Sequence, residues 1–344
     1  MPTHHDGFTK YAFRHLARAR EELSNALGAE LSGLIDWSTL ALEPTELADD
    51  ALDARFTDLH FTARLSGLPV RLELVFEHQS TIDPWMPVRL FCHAGAVWNG
   101  VRREREKEQR RGRKRAQVPL VLSVVLHTGP QRWVAPRELV QVIEGGALLA
   151  KRAPHLIPTF PIVIDDLAAE TDEAIRARRQ SAAVRLTLLL LKHGRTGNIA
   201  RVLEREEELV RQTEAEDEDL LRQGVHYAYR TAGPRERRRI RKALKSTLGR
   251  KGEDIVVTIA DQLIAQGRAQ GRAEGEARTI VRFLRARGLR VPAQVRAQIE
   301  ACTDKRQLSR WTVQAASATS AQELTAPKPS RGRAGRPDRR RSGR

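Results

Sequence analysis

Cysteine is nearly absent: Cys92 and Cys302 are the two in 344 residues. So few thiols, so far apart, exclude a disulfide framework and a structural zinc site built on cysteine. No apolar run reaches the ~18 residues that a bilayer-spanning helix needs. Residues 1–10 are polar and lack the apolar segment of a secretory leader. The reducing cytoplasm is the expected compartment, and no membrane partner is expected. A glycine-rich phosphate loop and a dinucleotide fingerprint are both missing. No base-reading motif is visible. His4, His5, His15, His60, His93 and His127 show no metal-ligand spacing and read as ordinary polar or core residues. Cys92 reads as a small core residue, and Trp85, Trp98 and Trp133 read as packing anchors.

Positive charge is what the sequence has in excess: 60 Lys and Arg against 43 Asp and Glu, a net +17. That balance points to a polyanionic partner, nucleic acid or an anionic membrane surface. The excess sits in three runs, at residues 102–115, 230–251 and 328–344, and the rest of the chain is net acidic. In the first run, Arg110, Arg111, Arg113, Lys114 and Arg115 are candidate phosphate contacts; a solvated insertion accounts for them equally well. Residues 204–219 are strongly acidic and offer ion-pair partners to the basic run that follows.

Hydrophobic residues make up 40% of the chain, enough for a real core. Residues 6–27 carry apolar positions at helical spacing, with Gly28 as the stop, and residues 28–53 read as a loop. Residues 55–65 and 70–79 alternate polar and apolar around Ser66-Gly67-Leu68-Pro69, which predicts a β-hairpin. A helix is expected over 88–103, a buried strand over 118–127, a short strand over 160–164 and a helix over 174–193. Strand signals then cease. A boundary is expected near 194–198, giving an α/β domain over 4–195, a helical region over 199–315 and a disordered basic tail over 326–344. Within a long helix over 254–287, Gly267, Gly271 and Gly275 recur every fourth residue. This is either a tolerated repeat on one face or a contact for a homo-oligomer through the C-terminal helices.

Chemistry concentrates on the hairpin. Period-two geometry puts Leu59, Phe61, Ala63 and Leu65 on one face of the first strand, and Leu72, Leu74 and Phe76 on one face of the second. Asp58, Glu77 and Gln79 fall on the opposite faces, so the two carboxylates can approach across the sheet. Phosphodiester hydrolysis with Mg²⁺ or Mn²⁺ needs carboxylates held together in this way. Many hairpins carry two carboxylates on a solvent face, so spacing alone does not decide the matter. His78 alternates to the other face and reads as a packing or hydrogen-bonding residue.

The wider set of residues carries a resemblance. His5-Asp6-Gly7-Phe8-Thr9-Lys10, Asp58-Leu59, Phe76-Glu77-His78-Gln79-Ser80, Met86-Pro87-Val88-Arg89-Leu90, Val118-Pro119-Leu120-Val121, Leu126-His127-Thr128-Gly129 and Trp133 occur in order. So does a C-terminal Thr258-Ile259-Ala260-Asp261-Gln262-Leu263-Ile264. Together they resemble the recombination-promoting nuclease (Rpn), or YhgA-like transposase, family over roughly residues 4–310. The resemblance implies a PD-(D/E)XK nuclease-like core, a mixed sheet flanked by helices, and Mg²⁺-dependent DNA endonuclease activity linked to recombination. It implies Asp58 and Glu77 as metal ligands, with the main-chain carbonyl of His78 completing the shell, and Gln79 in the lysine position. Glutamine is neither a cation nor a base, so Gln79 can only hydrogen-bond water or phosphate. Asp6, Lys10 and Arg89 are candidates for a supporting shell; each also reads as an ordinary helix-surface charge. DNA is the implied partner, and a nucleoid-associated location follows. The rival reading is a catalytically inactive DNA-binding or interaction scaffold with the same fold.

Overall fold

The computed structural model describes residues 4–43, 59–68, 70–109 (108 and 109 by backbone alone) and 117–325. Two compact units divide at Ile259/Ala260.

The first unit opens with α1 (His4–Phe13) and α2 (Leu16–Gly33). The sequence reads one helix here; the structure breaks it at His15, whose backbone is extended (φ −78°, ψ 119°). Arg18 stabilises the break. Its Nε donates to the Ala12 carbonyl at 2.6 Å, satisfying an orphan acceptor at the end of α1. Gly28 kinks α2, with φ +74°, rather than stopping it.

Strand β1 (Ile35–Leu42) replaces the expected loop. It pairs antiparallel with β2 (Leu59–Leu65), and its register slips between Asp36 and Ala41. That irregularity on an edge strand breaks the period of two and hides the strand from pattern reading. β2 and β3 (Arg71–Gln79) form the expected hairpin, with Leu59 opposite Phe76, Phe61 opposite Leu74 and Ala63 opposite Leu72. The long helix α3 (Met86–Gln109) then crosses over to β4 (Leu120–His127), which runs parallel to β3. After α4 (Gly146–Arg152), β5 (Val163–Asp166) pairs parallel with β4. The result is a mixed five-stranded sheet in the order β1-β2-β3-β4-β5, with β3 at its centre.

Each sheet face has its own cover. Phe76 meets Phe13 of α1, ring centroids 5.3 Å apart. On the other face Val75, Val121 and Val125 pack with Met86, Leu90, Ala94 and Val97 of α3 and with Trp133 and Phe160. Trp133 is the anchor expected, and half-buried Trp98 donates its indole N–H to the Pro119 carbonyl at 2.9 Å. Trp85 and Cys92 do not pack as expected. Both are exposed, Trp85 because it precedes α3 rather than lying on its inward face.

The remaining helices of this unit are α5 (Asp172–Arg176), α6 (Ala182–His193), α7 (Ile199–Arg205), α8 (Glu207–Glu216), α9 (Glu218–Thr231) and α10 (Pro234–Leu248). Ser181 caps α6 by accepting from the Val184 amide, which splits the single helix expected over 174–193. The compact unit continues past the boundary expected at 194–198. Tyr227 of α9 shows why: it stacks on Phe8 of α1 at 4.7 Å and hydrogen-bonds His5 Nδ1 at 2.6 Å. The acidic and basic runs do pair, Arg239 with Glu204 at 2.6 Å and Lys251 with Glu218 at 2.8 Å.

Helix α11 (Arg250–Ala286) carries the chain into the second unit, with α12 (Ala293–Ala301), α13 (Lys305–Ser317) and α14 (Gln322–Thr325). Its core joins Ala277, Ile280 and Leu284 to Val295, Ile299, Leu308 and Trp311. A Cβ added at Gly267, Gly271 or Gly275 would meet nothing within 4 Å, so the repeat serves no close approach within the described chain. No described helix is long and apolar enough to cross a membrane. The tail expected to be disordered lies outside the described residues.

Candidate active site

The C-terminal end of β3 carries Glu77, His78 and Gln79. Strand alternation puts Glu73, Val75, Glu77 and Gln79 on the face covered by α3, and His78 on the face covered by α1. Glu77 is 5% exposed. Its Oε1 accepts from Arg89 Nη2 at 3.0 Å, and Arg89 Nη1 donates to Asp83 Oδ2 at 2.7 Å. The other oxygen of Asp83 accepts from the Trp85 amide at 2.9 Å, at the head of α3. Arg89 is therefore held between two carboxylates, Glu77 and Asp83. Sequence reasoning passes over Asp83, although an Asp followed by a proline just before a helix is a recognisable helix-start signal.

Gln79 is half-buried, with Nε2 3.4 Å from Thr81 Oγ1. Its main-chain carbonyl accepts from the Thr128 amide at 3.0 Å and lies 3.1 Å from Nδ1 of fully buried His127. Nε2 of the same ring lies 2.8 Å from the Gln131 carbonyl. These contacts fix the ends of β3 and β4 to each other. On the opposite face, buried His78 lies 2.9 Å from Asp6 Oδ1 through Nδ1 and 2.9 Å from Thr128 Oγ1 through Nε2. The hydrogen-bonding role expected of His78 is what the structure shows. Asp6 is thus drawn to His78, and half-buried Lys10 follows one turn later on α1.

Asp58 lies outside the described residues, as do Arg110, Arg111, Arg113, Lys114 and Arg115. The residue bonded to Asp58, Leu59, is paired with Phe76, the chain neighbour of Glu77. Among the described residues no group of three or more His, Cys, Asp or Glu is placed to hold a metal ion. Arg195 is a further residue that sequence reasoning misses: its Nη1 donates to the Ser80 carbonyl, just past Gln79, at 2.7 Å. A separation of 115 residues leaves no local signal for that contact.

Two other polar clusters lie in the same unit. His60 Nε2 is 2.7 Å from Glu73 Oε2, and the His93 ring stands edge-on to His60. Burial, aided by the charge of His60, pushes His93 down to about 4. The second cluster joins α2 to β5. Arg178 forks onto both oxygens of Asp165, at 2.8 and 2.7 Å, and reaches Glu170 at 2.6 Å. Glu22, fully buried, hydrogen-bonds Asp165 and accepts from Gln180 at 2.9 Å. Burial and the Asp165 charge drive Glu22 well above the usual carboxylate range. Burial acts on Asp165 in the same direction, but hydrogen bonds from Glu22 and Arg178 outweigh it and hold Asp165 low. Within the pair, Glu22 is the carboxyl that is raised and Asp165 the one held low, facing Arg178.

Comparison with known proteins places this arrangement. The family described as "Putative transposase, YhgA-like" matches residues 3–221. Recombination-promoting nuclease RpnC of Escherichia coli (strain K12) is 28% identical over 205 residues, covering 59% of this chain and 62% of that protein. Recombination-promoting nuclease RpnD of Escherichia coli O157:H7 is 28% identical over 202 residues, covering 59% and 72%. Recombination-promoting nuclease RpnA of the K12 strain is 30% identical over 95 residues, 28% of this chain and 32% of its own length. The chain thus spans under two thirds of RpnC, and no solved structure matches it. The family match takes in the whole sheet and every described side chain around Glu77, and on that evidence the chain belongs to the YhgA-like transposase family.

Proposed function

We propose that this protein is a metal-dependent DNA endonuclease of the PD-(D/E)XK type, acting with little sequence specificity in recombination or mobile-element processing. The observation that carries the reading is Glu77. It is a nearly buried carboxylate at the end of the central strand, beside an arginine that is itself a phosphate-binding group. The names of the relatives, recombination-promoting nucleases, point the same way.

In this reading Asp58 and Glu77 hold the metal. Carboxylate oxygens are hard ligands, and Mg²⁺ commonly binds through one or two carboxylates while keeping several waters, so this donor set suits Mg²⁺ or Mn²⁺. Bound there, the ion would supply Lewis-acid stabilisation of the phosphate charge and acidify a water. Gln79 orients water or phosphate through its amide. Arg89 exchanges Glu77 for the incoming phosphate while keeping Asp83, and the fixed β3–β4 ends hold these groups in register.

A second reading, DNA binding without cleavage, has one observation in its favour: Arg89 already neutralises Glu77. Nicking of supercoiled plasmid separates the two, run with Mg²⁺, Mn²⁺ or EDTA beside Glu77→Ala. The nuclease reading expects metal-dependent nicking that the variant loses. Binding without nicking by either protein would leave the second reading standing.

A further inference from the structure

Helix α10 presents a row of cations that the acidic run before it leaves uncovered. Arg239 is taken by Glu204, and Arg241 and Lys245 are both taken by Glu253, at 2.7 and 2.9 Å. Arg235, Arg238 and Lys242 enter no ion pair with any described residue, and all are exposed. They recur at i, i+3 and i+7, on the side of the helix opposite buried Ile240, Ala243 and Leu244. Glu236, the acidic residue of the first turn, does not interrupt the row. Its carboxylate turns inward and accepts from the Ala200 amide at 3.2 Å. At 1.5 Å per residue the row is about 10 Å long, the axial length of about three phosphates of one DNA strand.

The row is connected to the end of β3. Arg195 donates to the carbonyl of Ser80, one residue past Gln79. Five residues on, the Ala200 amide meets Glu236 on the first turn of α10, next to Arg235. Two hydrogen bonds, joined by the short segment 195–200, therefore link the residue after Gln79 to the first turn of α10. The row itself lies beyond residue 221, where the family match ends.

We infer that Arg195, Arg235, Arg238 and Lys242 form a phosphate track that seats the backbone of a DNA duplex and delivers it to the Glu77 end of the sheet. The inference rests on DNA being the substrate. The track reads charge and spacing only, so it positions the duplex without selecting a sequence. Mixed arginine and lysine on an exposed helix ridge suits a polyanion with regular spacing better than a single bound phosphate, which would call for converging donors.

The test measures duplex binding by fluorescence anisotropy, with the full-length protein in EDTA, across a salt titration. The variant is Arg235→Gln/Arg238→Gln/Lys242→Gln. The control, Arg282→Gln/Arg285→Gln/Arg290→Gln, removes the same charge from exposed positions of the second unit. Each phosphate contact contributes about 0.9 to the slope of log K against log salt, so the track variant should lose about 2.7 and the control close to none. Lys242→Gln alone should lose about 0.9, which keeps the test intact if the triple variant folds poorly. Equal loss in track variant and control would reduce the effect to net charge and overturn the track. So would a parent that nicks DNA while the triple variant keeps the full slope, or a parent that binds anionic vesicles but no duplex. A parent that binds duplex through the track but never nicks overturns the nuclease reading alone.

Discussion

Two arginine-bridged carboxylate clusters stand in the same compact unit, and they are built to opposite ends. In one, Arg178 is enclosed by Asp165, Glu170 and Glu22, with its own side chain 5% exposed and that of Glu22 fully buried. Its charged groups are enclosed and paired, and burial raises the Glu22 carboxyl above the usual range. In the other, Arg89 bridges Glu77 and Asp83, and the arginine and Asp83 are still 27% and 19% exposed. The first cluster ties α2 to β5 across the interior. The second sits where the central strand ends and solvent begins. A closed ionic cluster can only hold; an open one, with a cation that has a second carboxylate to fall back on, can exchange a partner. Burial of the cation, rather than the number of acids, separates a structural cluster from a candidate site.

That contrast breaks first at its closed end. Arg178→Ala leaves Asp165 and Glu22 buried without their cation, and the expected loss is ~3–5 kcal/mol of unfolding free energy. Urea denaturation measures it; a loss below ~1 kcal/mol would mean the cluster is not closed. At the open end the effect should fall on chemistry instead. Glu77→Ala should lower plasmid nicking at least ~100-fold while the urea midpoint stays near that of the parent, because Arg89 keeps Asp83. If the variant unfolds as readily as Arg178→Ala, the two clusters are alike and the distinction fails.

Much of this is legible in the order of the amino acids. The alternation around Ser66–Pro69 marks the hairpin, and the unbroken run ending at His127 marks the buried strand beside it. The sequence picks out both Glu77 and Arg89, and the structure joins them. The features that pattern reading misses are decided by contacts from far away or by a single cap. β1 loses its period at a register slip, and one helix becomes two where Arg18 reaches back to Ala12. The closed cluster draws on Glu22, Asp165 and Arg178, which share no motif because the fold alone makes them neighbours.

Gln79 sharpens the open end further. Its amide makes only a long 3.4 Å contact with Thr81, so little in the fold depends on it. Gln79→Ala should slow nicking about tenfold, close to 1.4 kcal/mol, with unchanged stability. An unchanged rate would show that Gln79 does not touch water or phosphate.

The smallest effect concerns the proton in the closed cluster. Glu22 is raised in the folded protein by burial first and by Asp165 second. Above the ordinary value of 4.5 the unfolded chain releases this proton and the folded one keeps it. Folding then takes up a proton, so this group's share of stability falls as pH rises from 4.5 and levels off only above the folded pKa of Glu22. His93 works the other way. Its folded value of about 4, against 6.5 unfolded, makes stability rise with pH between those two. The parent's own pH profile therefore mixes opposing slopes, and the informative quantity is the difference between parent and Glu22→Gln. Glutamine reproduces the protonated acid: its carbonyl still accepts from Gln180, and its amide can donate to Asp165. The stability of Glu22→Gln relative to the parent should therefore climb steadily as pH rises above 4.5, by less than the ~1.4 kcal/mol per pH unit that one proton allows. Urea midpoints of both proteins at matched pH values give that difference directly. A flat difference would place the proton elsewhere, with Glu22 ionised toward Arg178, and the closed cluster would then be an ordinary buried ion pair.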